Sequence, residues 1–483
     1  MDGDLNKVIV DYDPSGSLVT THESQGSDLG LFGGLMGWET DDPRLPDFRE
    51  EIVMAGIEVE IRYLSYGADH PNHYRLTLQN SESERLLEAV STGGGMIEVR
   101  SIDGHPVAIS GDYFETIVVG NPPVEVFEEE DFEEIIRSSR EGVLMTRGCS
   151  RKHPGEEWLA QIREREDISS VVVLKPILPI LARKNLEVPF LTAEEMMNYR
   201  RDQGDHLELW ELALRYEAAR GGITEAEVFS KMESLCEIFE GSISTGLGGT
   251  EFEDRILPCQ SGGFEEKLSK GELIPGDVQN RVILYVTAMM EIKSSLGVIV
   301  AAPTAGSCGA LPGAVFGVSD AMTYSKEERI KAMLVAGLIG VFITLRATFA
   351  AEIAGCMAEC GSGASMAAAA LTGLAGGSID QQLGAASQAL QNSFGMTCDT
   401  LANRVEAPCL GKNVMAATNA LACANMALAN YQHLVPLDQV IGAMHEVGEL
   451  MPREICCTGL GGLAVTQASR EIEKQLKKSR EGR

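Results

Sequence analysis

From about residue 282 onward the sequence is dominated by alanine, glycine and methionine, interrupted by polar turns that contain glycine. Side chains this small let helix backbones approach closely, and helices apolar nearly all round must be buried. The pattern predicts a compact bundle whose connecting turns converge on one place. The stretch from Ala332 to Ala351, AMLVAGLIGVFITLRATFAA, is long enough to span a bilayer, but Arg346 lies inside it and small residues fill it. Ala- and Gly-rich sequence continues well beyond it, so buried helices are the expectation, in a soluble cytoplasmic protein.

A chain of 483 residues, 44% of them hydrophobic, has room for several sizeable cores at roughly 100–200 residues per domain. Acidic residues outnumber basic ones by 71 to 40, a net charge of −31. Phosphate binding needs clustered Lys and Arg, so no nucleic-acid partner is expected, and an anionic membrane would repel the chain. The acidity reads as a solvating surface. The opening MDGDLNKVIVDYD has neither the basic start nor the apolar core of a secretory signal.

The expected fold class is α+β: a small N-terminal α/β domain, then a mostly α-helical catalytic domain. Residues 1–118 carry short β-branched or alternating runs (KVIVDY, GIEVEIRYLSY, YRLTLQ, MIEVRSI, PVAIS) between turn signals such as DPSG and IDGHP. GSDLGLFGGLMGW predicts a glycine-rich helix packed on that sheet. Residues 119–204 form a connecting region, with an acidic run, EVFEEEDFEEII, read as a solvated helix face. Thr192 with Glu195 there marks a capped helix start. Residues 205–483 form the helical domain. A Thr-capped helix is expected over ITEAEVFSKMESLCEIFEGSI.

Eleven cysteines, an odd number, do not suit a disulfide framework, and most lie between Cys308 and Cys457. Three loops there can carry chemistry. AAPTAGSCGALPGAV (301–315) places Thr304, Gly306, Ser307 and Cys308 in a tight turn before a helix, which suits a carboxylate or other small anion. AEIAGCMAECGSG holds Cys356 and Cys360, and CDTLANRVEAPCLGKN holds Cys398 and Cys409. Their spacing is not that of a zinc knuckle, which pairs close cysteines. Spacing alone leaves open a metal or cluster site and a set of buried core thiols.

These loops resemble those of the iron–sulfur-dependent L-serine dehydratases, or L-serine ammonia-lyases. That family's α part carries APT-x-G, GC-x-x-E-x-G and C-D-x₉-C-x-x-x-N, which stand here as Ala302–Gly306, Gly355–Gly361 and Cys398–Asn413, followed by GLGGLAVT at 459–466. QGSDLGLFGGLMGW (25–38), ADHPN (68–72), GGGMIEV (93–99) and IDGHPV (102–107) resemble its β part, so both parts appear fused. The resemblance implies a [4Fe–4S] cluster on Cys356, Cys398 and Cys409, its fourth iron open to the substrate hydroxyl. It implies an amino-acid substrate, L-serine converted to pyruvate and ammonium as in amino-acid degradation and gluconeogenesis, and a homodimer. His70 is then the catalytic candidate, and Asn72, Thr304, Gly306, Ser307 and Asn413 the substrate-binding ones. Cys360 is a competing ligand one helical turn from Cys356, and Cys456 and Cys457 are candidates for the fourth iron. The family's Gly-Pro-Ser-Ser-Ser-His segment has no counterpart. Gln25 stands where its second β-part histidine falls, with His22 close by. An L-cysteine desulfidase and a non-catalytic iron–sulfur sensor are the alternatives.

Overall fold

The computed structural model describes residues 5–23, 26–178, 187–252 and 255–481. Gln25 lies outside them. The N-terminal part is a six-stranded sheet of β1 (Lys7–Tyr12), β2 (Glu58–Tyr63), β3 (His73–Gln79), β4 (Glu84–Gly93), β5 (Met96–Ile102) and β6 (His105–Ile109), ordered β2-β1-β3-β4-β5-β6. β1 and β2 are parallel and the other pairs antiparallel. A parallel pair needs a crossover, which runs through the helices Ser27–Leu35 and Phe48–Met54. They bury Phe32, Phe48 and Ile52 against Val8, Val10 and Tyr12, so the glycine-rich helix read from the sequence is present. β4 was not among the expected strands. Its sequence, ERLLEAVSTG, is rich in helix formers, but β3 and β5 pair with both its edges and long-range pairing overrides local propensity.

The connecting region carries a sheet of its own. β7 (Phe114–Gly120), β8 (Glu134–Arg140), β9 (Val143–Ser150) and β10 (Ile168–Leu174) are ordered β10-β7-β9-β8, all antiparallel. A boundary at residue 118 would cut through β7; the break between sheets falls between β6 and β7. The helix Glu156–Arg163 covers this second sheet with Trp158, Leu159 and Ile162, against Val118, Val171 and Phe127. The acidic run forms no long solvated helix. It makes one short 3₁₀ stretch, Val124–Glu129, and then feeds β8, because Phe127 is fully buried and stacks with Phe132 and Trp158.

Beyond residue 187 the chain is helical. Thr192 accepts the Glu195 N–H at 3.1 Å, and Thr224 opens the helix Glu225–Leu247 with a reciprocal cap on Glu227. At the centre lies Ser362–Leu374, buried from Ser362 to Thr372. It packs on Lys326–Arg346, Ile379–Gln391, Glu406–Leu428 and Ala310–Met322. Small residues set these separations. A Cβ on Gly313 would lie 2.8 Å from the Val286 backbone nitrogen, and one on Gly317 2.9 Å from Val282 Cα, so Ala310–Met322 rides almost backbone to backbone on Asp277–Ser294. Among the described residues no single helix is long and apolar enough to cross a membrane; Lys326–Arg346 and Ala351–Leu374 qualify only together and are bent by 84°.

Candidate metal centre

The helix Ala351–Cys356 breaks just before its cysteine. Gly355 has φ +62°, and a Cβ there would lie 2.5 Å from the Met396 carbonyl oxygen, so only glycine fits. The chain then makes a π turn over Met357–Gly361 before the central helix begins. Such turns recur where a side chain must be re-aimed; here they present Cys356, Glu359 and Cys360 on one side.

Cys398 comes from a short extended segment tied on both flanks. The Met357 N–H donates to the Met396 carbonyl at 3.2 Å, the Cys398 N–H to Ile455 at 2.9 Å, and the Cys457 N–H back to Cys398 at 2.9 Å. Cys409 sits in the first turn of Glu406–Leu428. The Glu406 carboxylate anchors that turn by accepting the N–H groups of Ile256 (2.9 Å) and Leu257 (2.8 Å).

These segments bring Cys356, Cys360, Cys398, Cys409 and Cys457 together, all buried, and all eleven cysteines of the chain are free thiols. The ligand atoms of Cys356, Glu359 and Cys398 lie within 4.8 Å of one another. The thiols of Cys360 and Cys398 donate towards Cys356 and, aided by Lys412, hold its pKa well below the ordinary cysteine value against the effect of burial. Those same contacts with Cys356 push Cys360 and Cys398 well up; burial does so for Cys409. Burial, then the charges of Cys356 and Glu352, raise Glu359 well above the usual carboxylate range.

Lys412 is the countercharge. Its ammonium lies 3.9 Å from Cys356 Sγ and 3.9 Å from Asp399, and it donates to the Thr397 carbonyl. Burial pulls its pKa down, but the Cys356 and Cys398 sulfurs outweigh that and leave it raised. Buried thiols and half-buried carboxylates beside one ammonium make a soft, electron-rich donor set that a cationic iron or iron–sulfur centre suits.

The turn at Ala305–Ser307 closes one side. Thr304 caps it reciprocally with Ser307 and donates its hydroxyl to Glu359 Oε1 at 2.6 Å. Gly306 lies against the same carboxylate, where a Cβ would be 2.6 Å from Oε1. Asn413, fully buried one turn after Cys409, accepts the N–H groups of Gly309 (3.2 Å) and Ala310 (2.9 Å). It donates to the carbonyls of Gly306 and Cys409, both at 2.8 Å. The N–H groups of Ser307, Gly309 and Ala310, expected from the sequence to face an anion, are thus taken by Thr304 and Asn413.

The N-terminal sheet reaches this centre through Asn72, whose side chain hydrogen-bonds Glu352, one turn before Cys356. Asn72 is buried and its carbonyl oxygen accepts the Ser17 hydroxyl. His70 stands one step further out. Its Nδ1 accepts the Asn72 N–H at 3.1 Å, which leaves the neutral ring's proton on Nε2, and burial followed by Arg100 lowers its pKa. His22, close to where the family's second β-part histidine falls, sits in a turn and is buried between the Asp28 carboxylate (2.8 Å) and the Tyr63 hydroxyl (2.9 Å).

The expected residues Thr304, Gly306, Ser307, Asn413, Cys356, Cys398 and Cys409 thus form one connected network, joined to His70 through Asn72 and Glu352. Sequence reading gave no role to Glu352, Glu359 or Lys412, although Glu359 lies within the GC-x-x-E-x-G segment and Lys412 between Cys409 and Asn413.

Residues 204–464 match the family described as the serine dehydratase alpha chain. The chain is 34% identical over 253 residues to the probable L-serine dehydratase alpha chain of Bacillus subtilis, covering 52% of this chain and 84% of that one. It is 34% identical over 288 residues to the L-serine dehydratase alpha chain of Peptoniphilus asaccharolyticus, covering 59% of this chain and 98% of the relative. Against L-serine dehydratase TdcG of Escherichia coli it is 33% identical over 263 residues, 53% of this chain and 56% of that protein.

Proposed function

The chain belongs to the serine dehydratase alpha-chain family, and from that membership we propose that it is an L-serine ammonia-lyase yielding pyruvate and ammonium, with a [4Fe–4S] cluster on Cys356, Cys398 and Cys409. The observation that carries the reading is the convergence of these three thiols from three chain segments, unpaired by disulfides and beside Lys412. Bound there, a cluster with one iron not held by cysteine supplies a Lewis acid for departure of the substrate hydroxyl.

The chain's own residues prepare the rest. Lys412 offsets the thiolate charge that burial would otherwise penalise. Asn413 fixes the 304–310 turn against the Cys409 helix, so the Thr304 hydroxyl and the Glu359 carboxylate keep their places. Asn72 and His70 bring polar groups from the sheet domain, which we read as the β-like part, and His70 Nε2 is the group we assign to orient the substrate. An oxygen-labile cluster among free thiols suits a reducing, cytoplasmic setting.

Anaerobic purification, iron determination and an assay of pyruvate from L-serine, L-threonine and L-cysteine test the reading. A brown protein active on serine is expected, and Cys356→Ala, Cys398→Ala and Cys409→Ala should each abolish cluster retention while Cys236→Ala does not. An iron-free protein of full activity would sink the cluster. Sulfide from cysteine with nothing from serine would replace the substrate assignment by a desulfidase.

A further inference from the structure

We propose that Glu359 is the fourth protein donor of this centre, its carboxylate taking the iron position that Cys356, Cys398 and Cys409 leave open when no substrate is present. The inference rests on the iron–sulfur reading above and goes beyond it by naming the resident ligand. Three independent features of the geometry lead to it.

First, the carboxylate lies among the thiols. Its ligand atom, Cys356 Sγ and Cys398 Sγ are mutually within 4.8 Å, so the carboxylate lines the same enclosure as the thiols. Second, the two oxygens are placed differently: Oε1 takes the Thr304 hydroxyl at 2.6 Å, and Oε2 faces Cys356 Sγ at 3.9 Å. Third, room has been made for it. Gly306 has no side chain, and a Cβ there would lie 2.6 Å from Oε1 and 2.9 Å from Oε2, so any other residue would push the carboxylate off its position.

Two nearby thiols are the rivals. Cys360 Sγ lies 3.8 Å from the Asn413 amide and hydrogen-bonds Cys356. Cys457 meets Cys398 through its thiol and donates its backbone N–H to the Cys398 carbonyl at 2.9 Å. A carboxylate differs from either in kind. It is a harder donor than thiolate, of the same oxygen class as a substrate hydroxyl or carboxylate, so it exchanges for substrate more readily than a fourth cysteine would. Thr304 then has a double place: it steadies the resident carboxylate and belongs to the turn from which substrate would be met.

The test compares anaerobic wild type with Glu359→Gln, which keeps the shape and the Thr304 hydrogen bond but replaces a good iron ligand by a poor one. Ferricyanide removes one electron from the cluster as one iron leaves as Fe²⁺, and the three-iron product is read by electron paramagnetic resonance. Loss of that iron should be roughly tenfold faster in the Gln variant, in line with the weakening that follows removal of a supporting group at a metal. Glu359→Asp, a shorter carboxylate, should fall between the two. Equal rates in wild type and Glu359→Gln overturn the proposal, whatever the variant's activity. Acceleration in Cys360→Ala or Cys457→Ala but not in Glu359→Gln also overturns it. Wild type without iron would instead remove the cluster reading itself, so the two failures are told apart.

Discussion

Asn413 shows how much one side chain can hold together. Its oxygen accepts two N–H groups and its amide donates to two carbonyls, which uses its full hydrogen-bonding capacity. Asn413→Ala would strand the N–H groups of Gly309 and Ala310 and the Gly306 carbonyl in a buried setting. At about 1–3 kcal/mol for each orphaned group, the variant should lose roughly 3 kcal/mol or more, read as a lowered urea midpoint under anaerobic conditions; an unchanged midpoint would show the clamp to be dispensable. The cysteines were legible in the sequence because reactive thiols are rare and their motif order is distinctive. Asn413 was picked out in the sequence as a substrate-binding candidate, but its clamping role depends on three segments meeting in space, and no spacing along the chain encodes that. Glu359 and Lys412 escaped notice for a different reason: charged residues are ordinarily solvated, and only burial among thiols sets these two apart.

At the scale of elements, the second sheet is held by an ion pair as well as by its apolar core. Arg147 on β9 meets Glu115 on β7 through two hydrogen bonds, 2.6 and 2.7 Å, with both side chains under a tenth exposed. Removing one partner of a buried pair costs about 3–5 kcal/mol, whereas replacing both by apolar residues is often neutral. Glu115→Ala should therefore destabilise this sheet, followed by the fluorescence of buried Trp158, and the double variant Glu115→Leu, Arg147→Met should restore it. This sheet was missed in the sequence although its strands run to 7 or 8 residues, because glutamates crowd the connection between β7 and β8, with only Phe127 and Phe132 there betraying a core. A second element-scale device is the Asp13 carboxylate after β1, which accepts the N–H groups of Ser15, Tyr66, Gly67 and Ala68 and so pins the turn leading to His70. These bonds hold its pKa below the ordinary 3.8. The folded state thus favours the carboxylate: the stabilisation is complete above the unfolded value and drains away as pH falls below about 4. In Asp13→Asn the acid limb of a urea-midpoint profile should be shallower than in wild type.

Over the whole molecule, the sheet domain and the thiol-bearing bundle meet along a seam. The β4–β5 turn seats Gly93 where a Cβ would lie 2.9 Å from the Ala350 nitrogen, and Gly94 where one would lie 2.7 Å from the Pro303 carbonyl oxygen. The Thr20 hydroxyl reaches the Thr458 carbonyl at 3.4 Å. The α+β class and the order of its two parts were readable from composition and periodicity. The seam was not, since GGG reads as an ordinary turn until its neighbours are known. The relatives from Bacillus and Peptoniphilus are named as alpha chains, while here the sheets and the alpha-chain-like bundle share one polypeptide. Sharing one polypeptide turns docking into an intramolecular equilibrium whose effective concentration does not fall on dilution. The seam can thus stay shut at protein concentrations where two separate chains with the same contacts would drift apart.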